Sequence, residues 1–169
     1  MSRIFLSTTL LLLSAAAFGS GPDCPPSLML ERSSNRNRVW YWVSRDASGE
    51  TKIRTLWEMI ERGPGIWEEL TSLEESRLYG ARLQSAGTDF EFFLVGLSDH
   101  RLPVIWDRRG CGTFQYAASS TGAVMTVEHV YATVGGTFFP SLKELRLHGH
   151  GVTDHKPVSV LWEAYPSHD

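Results

Sequence analysis

Cysteine is scarce: the 169-residue chain has two, too few for a disulfide-dense miniprotein or a cysteine-based zinc cluster. Long apolar runs are scarcer. The stretch through Leu10, Leu11, Leu12 and Leu13 falls short of the ~20 residues a membrane-spanning helix needs, and no later segment comes close. Proline and glycine, at 8 and 15, are too few and too scattered for a low-complexity tail to dominate. Neither sign of charge prevails, and a formal net charge of -3 weighs against nucleic acid as a partner. No Gly-x-Ser-x-Gly elbow exists. No repeat of fixed period is visible and no linker separates two cores, so one domain is expected.

What is present begins with an export signal. Arg3 is followed by the apolar run and then by Ser14, Ala15, Ala16, Ala17 and Gly19, the order of a cleavable secretory leader. Residues 1–19 are therefore read as a signal peptide and 20–169 as an exported domain. Removing the leader takes away one charge, Arg3, and leaves the mature protein at -4. Gly21, Pro22 and Asp23 precede Cys24 where a lipoprotein signal places Leu and small residues, so no membrane attachment is expected after cleavage. The periplasm or the cell exterior is the expected destination. There Cys24 and Cys111 are expected to form one disulfide.

Further along, Ser20 to Asn37 reads as an extended lead-in. Val39 to Val43 combines β-branched and aromatic residues, as a strand buried on both faces does, and Asp46 to Gly49 makes a turn. Ile53, Leu56, Trp57 and Ile60 recur at helical spacing until Gly63-Pro64-Gly65 halts them, which predicts a helix. Ile66, Trp67, Leu70 and Leu73 predict a second, paired with the first as a hairpin.

After Gly80 the pattern changes to β-prone runs: 81–84, 90–97, 104–106, 113–117, 123–134, 144–150 and 158–165. No helix-length pattern separates them, which predicts antiparallel pairing. The expected fold is α+β: a mostly antiparallel meander with one or two helices from the N-terminal half packed on it. Trp40, Trp42, Trp57, Trp106 and Trp162 fall inside expected elements and are read as packing residues.

The densest chemistry lies in His148-Gly149-His150-Gly151-Val152-Thr153-Asp154-His155, because imidazole and carboxylate ligate transition metals and two strand residues spaced by two point the same way. It differs from the metallo-β-lactamase pattern His-x-His-x-Asp-His by two extra residues before the Asp-His pair, and too few residues follow to supply that family's downstream ligands. The plainer reading puts Leu145 and Leu147 in the core, Arg146, His148 and His150 on the wet face, and residues 151–156 in a turn. His129 falls on the more apolar side of its expected strand and reads as a buried neutral imidazole. Arg32, Arg36, Arg38 and Arg45 form a basic patch in sequence. The all-small loop Ser119, Ser120, Thr121 and Gly122 has the slimness to enter a partner's cleft.

Two functions follow. The first is an exported protein-binding module without cofactor, an inhibitor or immunity-type protein blocking a secreted or periplasmic hydrolase, with Ser119, Ser120, Thr121 and Gly122 as the binding loop and no catalytic residue. The alternative is a small metal-dependent hydrolase using His148, His150, Asp154 and His155.

Overall fold

The computed structural model describes residues 24–118, 122–135 and 141–164. Eleven strands run β1 Leu28–Arg32, β2 Arg38–Arg45, β3 Thr51–Glu58, β4 Trp67–Glu69, β5 Ala81–Ala86, β6 Asp89–Leu94, β7 Leu102–Trp106, β8 Gly112–Ala117, β9 Val124–Gly135, β10 Ser141–Gly151 and β11 Pro157–Ala164. Among the described residues one short helix, α1 Ser72–Arg77, and two 3-10 turns at Ile60–Arg62 and Val95–Leu97 are the helical content. The protein is thus nearly all β, which overturns the α+β expectation and its helical hairpin.

The reason lies in pairing. Residues 51–58 lie antiparallel to β2 over the whole of both strands, from Arg45 opposite Thr51 to Arg38 opposite Glu58. The connecting turn is held by Asp46 Oδ1, which accepts from the N–H groups of Ser48 at 2.9 Å and Glu50 at 3.0 Å. A full ladder outweighs a helical spacing of four apolar residues. Trp57 enters the core while Leu56 goes to the other face. The α-helix of the described residues begins where Thr71 and Glu74 make a reciprocal capping box.

The strands join in the order β4-β3-β2-β1-β9-β8-β7-β6-β5, with β10 on the other side of β9 and β11 beyond it. All pairings are antiparallel except β1 with β9, which departs from a pure meander. β9 is the hub: its first half pairs with β8 and its second with β1, while β10 runs along its full length. The expected lead-in therefore contains a central strand.

An isolated bridge between Ser44 and Cys111 brings β2 back to β8, so the sheet curls around one buried cluster that includes Leu30, Tyr41, Phe92, Phe114, Val130 and Leu147. At that seam Cys24 and Cys111 form the expected disulfide. Asp107 Oδ1 holds the Cys111 turn by accepting from the N–H groups of Arg109 and Cys111, both at 2.8 Å. Among the described residues no helix is long and apolar enough to cross a membrane.

Candidate functional site

Strand alternation gives the curled sheet two unlike faces. On the inner face one row across the strands reads Trp57, Val39, Leu30, Val130, Leu147 and Val160. One residue further along, the row on the outer face reads Glu69, Leu56, Trp40, Met29, His129, His148 and Ser159. The inner row is core, and the outer row carries the chemistry.

At one end of the outer face three indoles meet. Trp67 of β4 packs against Trp40 and Trp42 of β2 with ring centroids 6.4 Å and 6.3 Å apart. The Arg54 guanidinium lies 5.8 Å from the Trp42 ring centre, and Trp40 Nε1 donates to Glu58 at 2.8 Å. Trp67 remains 45% exposed. Reading β2 as buried on both faces hid this group: Val39, Tyr41 and Val43 are buried, while Trp40 and Trp42 are half-buried on the other side. The spacing of Trp67 with Leu70 predicts a helix there, whereas Trp67 opens β4. The available signal was the strict alternation of β2.

Histidine occupies the opposite end. His129 and His148 are direct cross-strand neighbours with ring centroids 5.2 Å apart, and His150 Nδ1 lies 3.1 Å from Glu128. With Ser159 these four side chains line a cleft of about 350 Å³. A register shift between His148 and Gly149 lets Val127 and Val130 both face the core, with Glu128 and His129 bulged out between them. That bulge reverses the face expected for His129 from Met125 and Val127. It also explains Gly149, where a Cβ would collide with the Thr126 carbonyl.

A line of charges joins the two ends. Arg38 sits 3.9 Å from both Glu58 and Glu31, and Glu31 lies 3.4 Å from His129 Nε2. That contact is within ion-pair range but is not aligned as a hydrogen bond, since Nε2 is buried without a hydrogen-bond partner. Burial lowers the His129 pKa from 6.5, helped by His148 and Arg38 and opposed by Glu31.

The other candidates are dispersed. Leu145 and Leu147 are buried and His148 and His150 lie outward, while Asp154 and His155 belong to the turn at 151–156. Asp154 accepts from the Lys156 N–H at 3.2 Å, and His155 takes a positive φ of 54°. Among the described residues no three His, Cys, Asp or Glu side chains converge as a metal site.

The basic patch separates as well. Arg32 donates to Tyr79 and lies over Trp57, Arg38 joins the charge line, and Arg45 lies over Trp106. Residues 1–23, which include the expected leader, and Ser119, Ser120 and Thr121 of the expected loop lie outside the described residues. Gly122, the loop's fourth residue, is described and takes φ 65°.

The model of a family described as a domain of unknown function (DUF4833) matches residues 28–160, from β1 into β11, and the chain belongs to that family. No curated protein and no solved structure matches it.

Proposed function

We propose that this member of the DUF4833 family is an exported binding module that recognises another protein, with inhibition of a secreted or periplasmic hydrolase as its role. The observation that carries the reading is the group of Trp40, Trp42 and Trp67 on the outer face, with Arg54 over Trp42. Tryptophan and arginine are the residue types that most often anchor protein interfaces, because a large ring buries much apolar area at little entropic cost. Here the rings stand on paired strands, so little ordering is needed on binding.

Export supports the same reading. A disulfide fits an oxidising compartment and the leader-like residues 1–19. The hydrolase alternative asks His148, His150, Asp154 and His155 to act together. Two of these stand on the outer face and two are held in a turn by its own hydrogen bonds.

The test is capture from the native exported fraction with tagged, disulfide-intact mature protein. A stoichiometric protein partner whose hydrolytic activity falls on binding supports the proposal. Recovery of no partner, together with a hydrolytic activity of the protein itself that His148→Ala abolishes, overturns it.

A further inference from the structure

We infer that His129 and His148 form a proton-operated latch: neutral, the two rings lie face to face across β9 and β10, and acid drives them apart and opens β10 locally at residues 148–150. The latch belongs to the histidine end alone and stands whether or not the tryptophan end binds a protein.

The two residues are direct partners in the β9–β10 ladder, with ring centroids 5.2 Å apart and planes tilted by 30°. Among the described residues no hydrogen bond holds either ring, and His129 Nε2 is buried without such a partner. Packing alone therefore keeps the neutral rings together. Two imidazolium ions at that distance repel, and like charges directly opposite one another destabilise a strand pair.

The surroundings supply a counter-charge for one proton and not for two. From β1, Glu31 lies 3.4 Å from His129 Nε2, and from β2, Arg38 lies 3.9 Å from Glu31. On β9 stand Glu128 and Tyr131, whose ring centre is 6.2 Å from that of His129. On β10, His150 and Arg146 are engaged by Glu128 and Glu144. β11 offers Ser159 opposite His148, which carries no charge. Glu31, already shared with Arg38, is the one carboxylate within ion-pair range of the two rings among the described residues. The rings therefore take up protons in two steps that belong to the pair, the second about tenfold or more less favourable at this spacing. The lowered pKa of His129, to which burial contributes most and His148 adds while Glu31 opposes, agrees with that order.

The backbone is weakest where the rings would part. The β9–β10 ladder slips between His148 and Gly149, leaving a residue of β9 unpaired. On the other side of β10, His150 lies opposite Pro157, which has no N–H to donate. Both ladders of β10 are thus interrupted within two residues of His148, so a local opening there breaks fewer bonds than one elsewhere along the strand. Such an opening widens the cleft of about 350 Å³ that both rings line.

The experiment follows the ring-proton resonances of His129 and His148, the through-space contact between the rings, and amide exchange along β10 in disulfide-intact mature protein from about pH 8 to about pH 4.5. The ring contact should vanish with the second titration step. Exchange at residues 148–150, relative to residues 144–147 of the same strand, should rise about tenfold or more at that step while the remaining core stays protected. In His148→Gln, shown to melt cooperatively at neutral pH, His129 should titrate in one step and at higher pH, and the local rise in exchange should disappear. His129→Gln should likewise leave His148 with one step and no local opening.

Ring contact that survives both steps, titration of either histidine unchanged by loss of the other, or global unfolding before the rings part overturns the latch.

Discussion

The tryptophan end and the histidine end of the outer face share one sheet and one line of charges, yet they present different chemistry. At the tryptophan end one indole N–H is met internally, Trp40 Nε1 being tied to Glu58, and Arg54 lies over Trp42. What faces water is ring surface, and covering it gains roughly 25 cal/mol per Å² of apolar area. At the histidine end the imidazoles face one another and His129 Nε2 lacks a hydrogen bond. Covering that end would strip water from polar atoms without new partners, which costs free energy. The first end therefore presents apolar ring surface, and the second presents imidazole atoms that are costlier to cover.

The largest way to disturb the comparison is to affect both ends at once. Cys24→Ser/Cys111→Ser opens a loop spanning a sequence separation of 87, and the chain-entropy model expects a loss of about 4 to 5 kcal/mol. In urea, tryptophan fluorescence and histidine proton resonances should then lose their transitions at the same lowered midpoint. Separate midpoints would show that the ends fold independently.

Next in size is a change confined to one end. Gly149→Ala drives a methyl into the Thr126 carbonyl and should cost about 2 to 3 kcal/mol, in the range of overpacked sites. Resonances of His129 and His148 should move while the indole signals of Trp40, Trp42 and Trp67 hold still. Movement of both sets would mean that the charge line transmits the strain.

A smaller effect is expected from pH. The pKa of His129 is lowered in the folded state, chiefly by burial, so the unfolded chain takes up the proton first. Its contribution to stability is therefore complete above the unfolded value of about 6.5 and is lost as pH falls through the lower folded value. Urea midpoints measured downward from pH 7 should fall, and His129→Gln should flatten that part of the profile. An unchanged slope would assign the acid sensitivity to other groups.

The smallest expected effect is that of zinc. With His148 and His150 outward and Asp154 bound into its turn, calorimetric titration of the mature protein at micromolar zinc should release no heat. A saturable heat removed by His148→Ala would restore the metal alternative.

Much of the later half was legible because its strands carry period-two patterns between turns. The runs at 104–106, 113–117 and 123–134 became β7, β8 and β9 with ends moved by a residue or two. The core side of β10 was also readable, since Leu145 and Leu147 alternate with Arg146 and His148. The earlier half was not. Ile53, Leu56, Trp57 and Ile60 satisfy helical spacing, and only the ladder to β2, a nonlocal fact, makes residues 51–58 a strand.

The sites followed the same division. His148 and His150 were found because they sit two apart on one strand. His129 was assigned to the wrong face because one inserted residue at a bulge shifts the phase of everything after it. Trp67 could be joined to Trp40 and Trp42 only through β4, three residues long and without pattern of its own.

The claim that the tryptophan end binds and the histidine end does not is tested most directly by titrating the captured partner with the parent protein, Trp67→Ala and His148→Ala, each disulfide-intact. The account predicts that Trp67→Ala weakens binding about 30-fold or more, the scale of a hot-spot residue, while His148→Ala stays within about threefold of the parent, as near-neutral contacts do. Undiminished affinity in Trp67→Ala, or the larger loss in His148→Ala, would contradict it.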